Sequence, residues 1–275
     1  MIPTNTVLCG DALATLKSLP DACVQMVCTS PPYWHVRDYQ TPGQLGLEPS
    51  FEEYVATLCD VFDEVKRVIR PDGTAWVNLA DSYSGSNGGM PSPLAVKSHR
   101  FSYTLPPRPR TNIPRKSLCL IPYRFAIEMV RRGWRLRNVL VWHKPNAVPE
   151  SVKDRFTIDF EYLFFFSKSR HYYFEQQFEP ATDRGIRRGR DYVRNKRSVW
   201  TIPTKGFAGN HFAVYPEALV ETPIRACCPK GGTVLDPFLG TGTTAVTAKR
   251  LGRRWMGIEL NPAYVQLARE RLDGG

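Results

Sequence analysis

The chain has 275 residues, of which 42% are hydrophobic and 23% charged, a balance that argues against wholesale disorder and allows a full hydrophobic core. No apolar run is long enough to cross a bilayer, no secretory signal precedes the first strand, and the seven cysteines form no Cys-x-x-Cys pair, so we expect a cytoplasmic protein with no membrane segment, disulfide framework or metal site. The net charge of +11 points to a polyanionic partner, most often nucleic acid.

Strands alternate with helices along most of the chain. The apolar pattern predicts strands over residues 6–9, 24–29, 74–80, 136–142, 162–167, 233–235 and 255–258, and helices over residues 12–19, 51–69, 123–131, 216–227, 243–251 and 262–272. The second helix is the clearest, because its apolar residues recur at three- and four-residue steps after a possible capping residue, Ser50. A turn is expected at residues 71–73. This alternation predicts one α/β domain over residues 1–275, with a mostly parallel sheet and helices on both faces.

Two basic segments interrupt this pattern. Residues 82–116 contain six basic residues and no acidic one, and their richness in Gly, Pro and Ser predicts a mobile surface loop. Residues 180–209 contain eight basic and two acidic residues. A nearly neutral body that carries two basic segments favours a nucleic-acid partner, and the alternative is a pair of solvated basic loops.

A glycine-bearing turn follows the predicted strand at 233–235. Asp236 ends that strand, and Gly240 and Gly242 would let the backbone approach a ligand at the start of the next helix. Glu259 ends the following strand, at the position that accepts hydrogen bonds from ribose hydroxyls in nucleotide-binding α/β proteins. Alone, such a glycine pair is most often an ordinary turn. No Gly-x-x-x-x-Gly-Lys-Ser/Thr sequence occurs, which excludes a P-loop nucleotidase.

A second motif, Ser30-Pro31-Pro32-Tyr33, follows the strand at 24–29. Its structural reading is a proline turn with a packed aromatic residue. Its functional reading is methylation of an exocyclic base amine, a poor nucleophile whose hydrogens need acceptors while an aromatic ring stacks on the extruded base. Ser30 and a carbonyl near Pro31 would supply the acceptors, and Tyr33 the ring. We favour the functional reading.

Together these motifs resemble those of the DNA amino-methyltransferases, the enzymes that make N4-methylcytosine or N6-methyladenine. Their order is that of the permuted β group, and the similarity extends over nearly the whole chain, including segments at 10–21, 142–168 and 211–216. The resemblance implies a Rossmann-like methyltransferase fold with circularly permuted motif order, S-adenosylmethionine as cofactor and duplex DNA as partner. The implied catalytic residues are Ser30, Pro31, Pro32 and Tyr33. The implied cofactor-binding residues are Asp11, His211, Asp236, Phe238, Gly240, Gly242, Thr243, Thr244 and Glu259.

The resemblance also implies that residues 180–209 form a target-recognition segment. The predicted DNA-binding residues are Arg108, Arg110, Arg187, Arg188, Arg190, Arg194, Lys196 and Arg197. Ser-Pro-Pro-Tyr is commonest in N4-cytosine enzymes, so we favour methylation of cytosine N4 in a restriction–modification system, with adenine N6 as the alternative. The absence of a Pro-Cys nucleophile excludes the C5-cytosine enzymes. Methylation of RNA or of a protein amide, and an inactive DNA-binding module, are the remaining alternatives, and monomer and homodimer both stay open.

Neither His35 nor the cysteine pair Cys227 and Cys228 is expected to take part in catalysis or metal binding. His35 follows the catalytic motif, but the amine becomes acidic as it is methylated and needs no dedicated base. We therefore expect a structural role or a contact in the base pocket. Cys227 and Cys228 lie on a predicted helix and are expected to be small packing residues rather than metal ligands.

Overall fold

The computed structural model describes residues 3–85, 109, 111–181, 193–204 and 215–274. The strands in these ranges are β1 Thr6–Cys9, β2 Val24–Thr29, β3 Ile69–Leu79, β4 Arg135–His143, β5 Phe160–Ser167, β6 Phe178–Pro180, β7 Val193–Asn195, β8 Val199–Thr201, β9 Thr233–Asp236 and β10 Arg254–Glu259. The helices are α1 Ala12–Ser18, α2 Phe51–Val68, α3 Ile121–Arg131, α4 Glu217–Cys227, α5 Thr243–Arg250 and α6 Pro262–Asp273. Six predicted site residues lie outside the described residues: Arg108, Arg110, Arg187, Arg188, Arg190 and His211.

One eight-stranded sheet organises the fold, in the order β1-β10-β9-β2-β3-β5-β4-β8. The first five strands run parallel to their neighbours, β5 runs antiparallel to both β3 and β4, and β8 joins β4 in parallel. Because β5 alone is reversed, its first residues lie at the same edge of the sheet as the carboxyl ends of the other strands. The sheet thus gathers residues from both halves of the chain along one edge, where ligands bind in open α/β sheets.

Helices cover both faces of the sheet, and each face has its own apolar core. On one face α1, α2 and α3 pack around residues such as Leu16, Phe62 and Phe125. On the other face α4, α5 and α6 pack around residues such as Ile224 and Ala248. Strands β2, β9 and β10 contribute side chains to both cores, as expected for buried parallel strands.

Helix α2 shows how the sequence specifies these layers. Its apolar residues form a single buried stripe, and the Ser50 hydroxyl accepts a hydrogen bond from the amide of Glu53, which caps the first turn. The next element differs from expectation, because β3 already begins at Ile69. Its pairing jumps from Val24↔Ile69 to Met26↔Thr74, so the turn predicted at residues 71–73 is an irregularity within the strand.

Three short strands, β6, β7 and β8, were not predicted. Strands β6 and β7 form a separate antiparallel pair, and β8 extends the edge of the main sheet. Each has three residues, which is too few for a period to be read from the sequence. Among the described residues, no helix has the length and apolarity needed to span a membrane, and no group of three or more His, Cys, Asp or Glu side chains is arranged to hold a metal ion.

Candidate active site

A cavity of about 620 Å³ opens at the carboxyl edge of the sheet. Its walls come from the loops after β1, β9 and β10 at one end and from the ends of β2, β3, β4 and β5 at the other. We call these the β9–β10 end and the β2–β5 end of the cavity. Described residues from both predicted motifs line it: Asp11, Ser30, Pro31, Pro32, Tyr33, Phe238, Gly240, Thr243 and Glu259. The structure therefore brings together two motifs that are about 200 residues apart in the sequence.

Glu259 organises the β9–β10 end. One of its carboxylate oxygens accepts the amide hydrogen of Gly240 at 2.8 Å, and the other accepts that of Asn261, also at 2.8 Å. Burial raises the pKa of Glu259, and the two amides oppose that shift. The carboxylate thus ties the glycine turn to the end of β10 and faces the cavity with its remaining lone pairs.

The glycine turn needs its glycines for two different reasons. Gly240 has φ +54° and Gly242 has φ +88°, in the left-handed region that disfavours side chains. A Cβ atom at Gly240 would meet no atom within 4 Å, whereas one at Gly242 would lie 3.3 Å from Cβ of Ala268 on α6. Gly242 does not line the cavity; it caps α5 and lets α6 approach. Of these two glycines, Gly240 is the one that lines the cavity.

Asp236 ends β9 as predicted, but its carboxylate is buried among groups of the chain. It is 1% exposed and is not among the described residues that line the cavity. One of its oxygens accepts hydrogen bonds from Thr29 Oγ1 at 2.6 Å and from the Phe238 amide at 3.0 Å; the other accepts from Thr244 Oγ1 at 2.7 Å and from the Tyr215 hydroxyl at 3.0 Å. Burial raises the pKa of Asp236, and these donors oppose the shift.

The direct cofactor contacts of Asp236 and Thr244 stay a prediction, and the contacts that the structure shows for both residues are structural. Four donors from the chain surround the carboxylate, so it holds the end of β2 against the loop after β9. Thr244 takes part in that network and, like Gly242, lies behind the cavity wall. Asp11, in contrast, lines the cavity and caps α1 by accepting the Ala14 amide hydrogen at 2.8 Å.

At the β2–β5 end, side chains replace backbone amides. The Tyr33 hydroxyl lies 2.7 Å from Oε2 of Glu161, 3.1 Å from Oδ1 of Asn78 and 3.3 Å from Oγ of Ser30. Glu161 also forms an ion pair with Lys144, in which both side chains are less than one-fifth exposed. All five of these residues line the cavity.

Glu161, Lys144 and Asn78 were not assigned a site role from the sequence. Lys144 follows the end of β4, Glu161 stands near the start of the reversed strand β5, and Asn78 is near the end of β3. The Lys144 ammonium also lies 4.5 Å from the centre of the Trp142 ring, a cation–π distance. For Lys144 and Glu161 the available signal was positional, because both are charged residues next to strand ends within the segment at 142–168.

The two groups that were set aside are buried. His35 is 7% exposed, its Nε2 lies 3.0 Å from the Glu48 carbonyl oxygen, and it does not line the cavity. Its backbone has φ +49°, which turns the chain just after the motif. Cys227 and Cys228 are fully buried in the core beneath α4, where burial raises the pKa of each thiol to about 12. Both cysteines therefore pack as small apolar side chains.

Three of the predicted DNA-binding residues, Arg194, Lys196 and Arg197, lie in the part of the chain that the structure describes. Arg194 and Arg197 donate from Nε to the same oxygen of Glu179, at 2.9 and 2.7 Å, so part of their charge is neutralised within the chain. The Lys196 ammonium lies 5.3 Å from the centre of the Trp200 ring. The three residues thus sit together, next to the β6–β7 pair, but two of them share an acidic partner that was not predicted.

Comparisons with known proteins show the family to which the chain belongs. A family model described as DNA methylase matches residues 24–270. The Type II methyltransferase M.XycI of Xanthomonas campestris pv. cyanopsidis is 43% identical over 272 residues, which cover 98% of this chain and 88% of that protein. The Type II methyltransferase M.Cfr9I of Citrobacter freundii is also 43% identical, with the same coverage of both chains.

Solved structures share the fold. The PvuII DNA methyltransferase, described as cytosine-N4-specific, superposes with a TM-score of 0.69 and 21% identity, over 98% of this chain and 87% of that chain. A Thermus thermophilus protein described as a DNA modification methylase, in complex with S-adenosyl-L-methionine, superposes with a TM-score of 0.65 and 27% identity, over 98% and 95% of the two chains. These matches confirm the predicted Rossmann-like methyltransferase fold. With a family model that covers most of its length and relatives well above 30% identity, this chain belongs to the N6/N4 DNA methylase family, whose methyl donor is S-adenosylmethionine.

Proposed function

We propose that this enzyme methylates the exocyclic N4 amine of cytosine in duplex DNA and is the modification enzyme of a restriction–modification system. The observation that carries the choice of base is Ser30, a hydroxyl rather than a carboxylate at the cavity end of β2. The system follows from its relatives, which are named Type II methyltransferases. A single catalytic domain over residues 1–275, with basic segments at 82–116 and 180–209, remains the proposed organisation.

The residues of the β9–β10 end suit S-adenosylmethionine. The carboxylates of Asp11 and Glu259 are acceptors for the hydroxyls of a nucleoside, and Phe238 and Ile258 supply apolar walls for its base. When bound, the cofactor supplies an electrophilic methyl carbon on a sulfonium sulfur. Asp236 acts indirectly, by fixing the loop that carries Phe238.

The residues of the β2–β5 end suit the target amine. Ser30 Oγ accepts a hydrogen of the amine, and the ring of Tyr33 forms a wall against which an extruded base stacks. The Pro32 carbonyl is held by the Tyr54 hydroxyl at 2.8 Å, which keeps the proline turn in place. Because the two ends share one cavity, the chain would hold the amine next to the bound cofactor, which would supply the methyl group for direct transfer. Catalysis then comes mainly from positioning.

Nucleoside analysis tests this function directly. The protein is expressed in a host without DNA methyltransferases, and the digested DNA is examined by mass spectrometry. We expect N4-methylcytosine with the wild-type protein and none with Ser30→Ala/Tyr33→Ala, which keeps the β9–β10 end intact. N6-methyladenine would overturn the choice of base, and unmodified DNA would overturn the activity.

The basic segments account for binding of the duplex. Neutralisation of Arg187, Arg188 and Arg190 should flatten the log–log dependence of DNA affinity on salt by nearly one unit for each phosphate that is no longer bound. The Arg194→Ala/Arg197→Ala protein should flatten it less, because both side chains already pair with Glu179. Fluorescence anisotropy at several salt concentrations gives both slopes. An unchanged slope in the triple variant would make that segment a solvated loop.

A further inference from the structure

We propose that Glu161 is a positioning residue that acts through Tyr33 to orient the Ser30 hydroxyl, so that Ser30 Oγ presents only lone pairs to the target amine. The inference rests on the proposed function only in placing the amine next to Ser30, and it holds for cytosine and adenine alike. The inference rests on three steps, which assign the donors and acceptors of Asn78, Tyr33 and Ser30 in that order. Each step leaves only one possible hydrogen-bond direction for the next residue.

The first assignment concerns the amide of Asn78. Its Nδ2 donates to the carbonyl oxygen of Tyr162 at 3.0 Å, which fixes the orientation of the group. Oδ1 therefore faces the Tyr33 hydroxyl, 3.1 Å away. Asn78 can accept a hydrogen from Tyr33 but cannot donate one.

The second assignment concerns the single hydrogen of the Tyr33 hydroxyl. Burial, and then the charge of Glu161, raises the pKa of Tyr33 well above its ordinary range, so the phenol keeps its proton. Two acceptors compete for it, and Glu161 Oε2 at 2.7 Å is closer than Asn78 Oδ1. A hydrogen bond to an ionised carboxylate is also about twice as strong as one to an amide. The hydrogen therefore points to Glu161.

The third assignment follows for Ser30. Neither Asn78 nor Glu161 has a hydrogen to donate to the Tyr33 oxygen, and the hydrogen of Tyr33 is already engaged. The contact of 3.3 Å between Ser30 and Tyr33 can then be made only with the hydrogen of Ser30. Both lone pairs of Ser30 Oγ are left for the cavity, and a neutral serine becomes a one-way acceptor, as a carboxylate would be.

Lys144 keeps this chain of hydrogen bonds in one direction. Its ion pair with Glu161 is mostly shielded from solvent, and its ammonium rests near the face of Trp142. The ammonium contacts the carboxylate oxygen of Glu161 that Tyr33 does not use, so the other oxygen is left to accept the Tyr33 hydrogen. The Lys144–Glu161 ion pair in the cavity wall thus holds Glu161 in the position where it accepts the Tyr33 hydrogen.

The decisive variant is Glu161→Gln. Glutamine keeps the shape but can offer an N–H to the Tyr33 oxygen, which frees Tyr33 to donate to Ser30 and reverses the direction. We expect kcat for DNA methylation to fall at least about tenfold, the effect of losing one charged hydrogen bond. KM for DNA and the calorimetric affinity for S-adenosylmethionine should stay within about twofold. Glu221→Gln removes a carboxylate that pairs with Arg225 and Arg250, away from the cavity, and should leave kcat unchanged.

A double-mutant cycle separates this role from simple support of the fold. If Glu161 acts through Ser30, then Glu161→Gln should cost little more once Ser30→Ala is present. Tyr33→Phe is the second variant, because it removes the relay while leaving the Lys144–Glu161 ion pair intact, and it should show the same loss of kcat and the same dependence on Ser30. Ser30→Asp has no hydrogen to direct, so in that background the loss caused by Glu161→Gln should disappear.

The outcomes distinguish the inference from the function on which it rests. Wild-type kcat in Glu161→Gln or Tyr33→Phe, or losses that simply multiply with that of Ser30→Ala, would overturn the relay and leave Ser30 as an acceptor. Wild-type kcat in Ser30→Ala itself would overturn the placement of the amine, and with it both proposals. Should Glu161→Gln fail to fold, the pair of Tyr33→Phe cycles decides the matter.

Discussion

At the β9–β10 end of the cavity the polar contacts run through the backbone, whereas at the β2–β5 end they run between side chains. Glu259 is held by the amides of Gly240 and Asn261. Tyr33, in contrast, is held by the side chains of Ser30 and Glu161, which lie far apart in the sequence. The first arrangement fixes where a ligand atom lies, and the second also fixes the direction of the hydrogens around it.

The difference matches what each ligand demands. A cofactor must be bound in one pose, and a rigid turn with left-handed glycines supplies that without adjustable protons. A target amine changes its geometry and charge during transfer, so acceptors whose polarity is set in advance are of most use there. Asp236 joins the two ends, because its oxygens bind both Thr29 at the end of β2 and the Phe238 amide after β9.

Removal of the Tyr33 side chain should have the largest effect among the changes that test the separate roles of the two cavity ends. Tyr33→Ala deletes both the stacking wall and the hydroxyl relay, so we expect single-turnover methylation to fall by roughly 100-fold or more. Affinity for S-adenosylmethionine should remain nearly unchanged, because no contact of the β9–β10 end is removed. Single-turnover kinetics with parallel calorimetry measures the two quantities. A matched collapse of cofactor affinity would show that the two ends are not independent.

Glu259→Ala tests the opposite end and should have a smaller effect. The change leaves the amides of Gly240 and Asn261 without their acceptor and removes a carboxylate from the cavity, at about 1–3 kcal/mol of binding free energy. We expect calorimetry to show that loss in affinity for S-adenosylmethionine, with transfer restored at saturating cofactor. Glu270→Ala, on the exposed face of α6, is the matched control. Unchanged affinity in Glu259→Ala would refute the placement of the cofactor.

The sequence predicted the β9–β10 end better than the β2–β5 end for a physical reason. A left-handed turn requires glycine, so Gly240 and Gly242 leave a mark in the sequence that needs no knowledge of the tertiary structure. Glu259 ends a predicted strand at the position that accepts hydrogen bonds from ribose hydroxyls in nucleotide-binding α/β proteins. Even here the structural contacts of Asp236 were not predicted, because nothing in the local sequence reveals the three hydroxyls that surround it from β2, α5 and the segment before α4.

The β2–β5 end leaves no such local mark. Ser30 and Tyr33 stand in one motif, but their partners come from β3, β5 and the loop after β4, and only the register of those strands brings them within reach. Lys144 and Glu161 are ordinary charged residues until β4 and β5 pair. The helices and longer strands, in contrast, were predicted from the spacing of their apolar residues. That spacing did not predict the order of the strands in the sheet.

The smallest expected effect concerns the pH dependence of stability and the carboxylate that links the two ends. Burial raises the pKa of Asp236 above its ordinary 3.8, so the folded protein holds this proton more tightly than the unfolded chain does. The ionised carboxylate therefore lowers the free energy of unfolding, and its contribution grows as the pH rises from about 3.8 through the raised folded pKa. Asp236→Asn cannot ionise and lacks that dependence. The free energy of unfolding of wild type minus that of Asp236→Asn should decrease as the pH rises.

An exposed aspartate provides a control of opposite sign. The hydrogen bond from Lys116 lowers the pKa of Asp154, so its contribution to stability is present above the unfolded pKa and is lost as the pH falls through the folded value. The same difference for Asp154→Asn should therefore increase with pH, or stay flat if solvent screens the pair. Urea unfolding from below pH 3.8 up to pH 7 measures both differences. If the free energy of unfolding had the same pH dependence in wild type and in Asp236→Asn, the pKa of Asp236 would not be raised by folding. The hydrogen bonds from Thr29, Thr244, Tyr215 and the Phe238 amide would then compensate fully for the cost of burying the carboxylate.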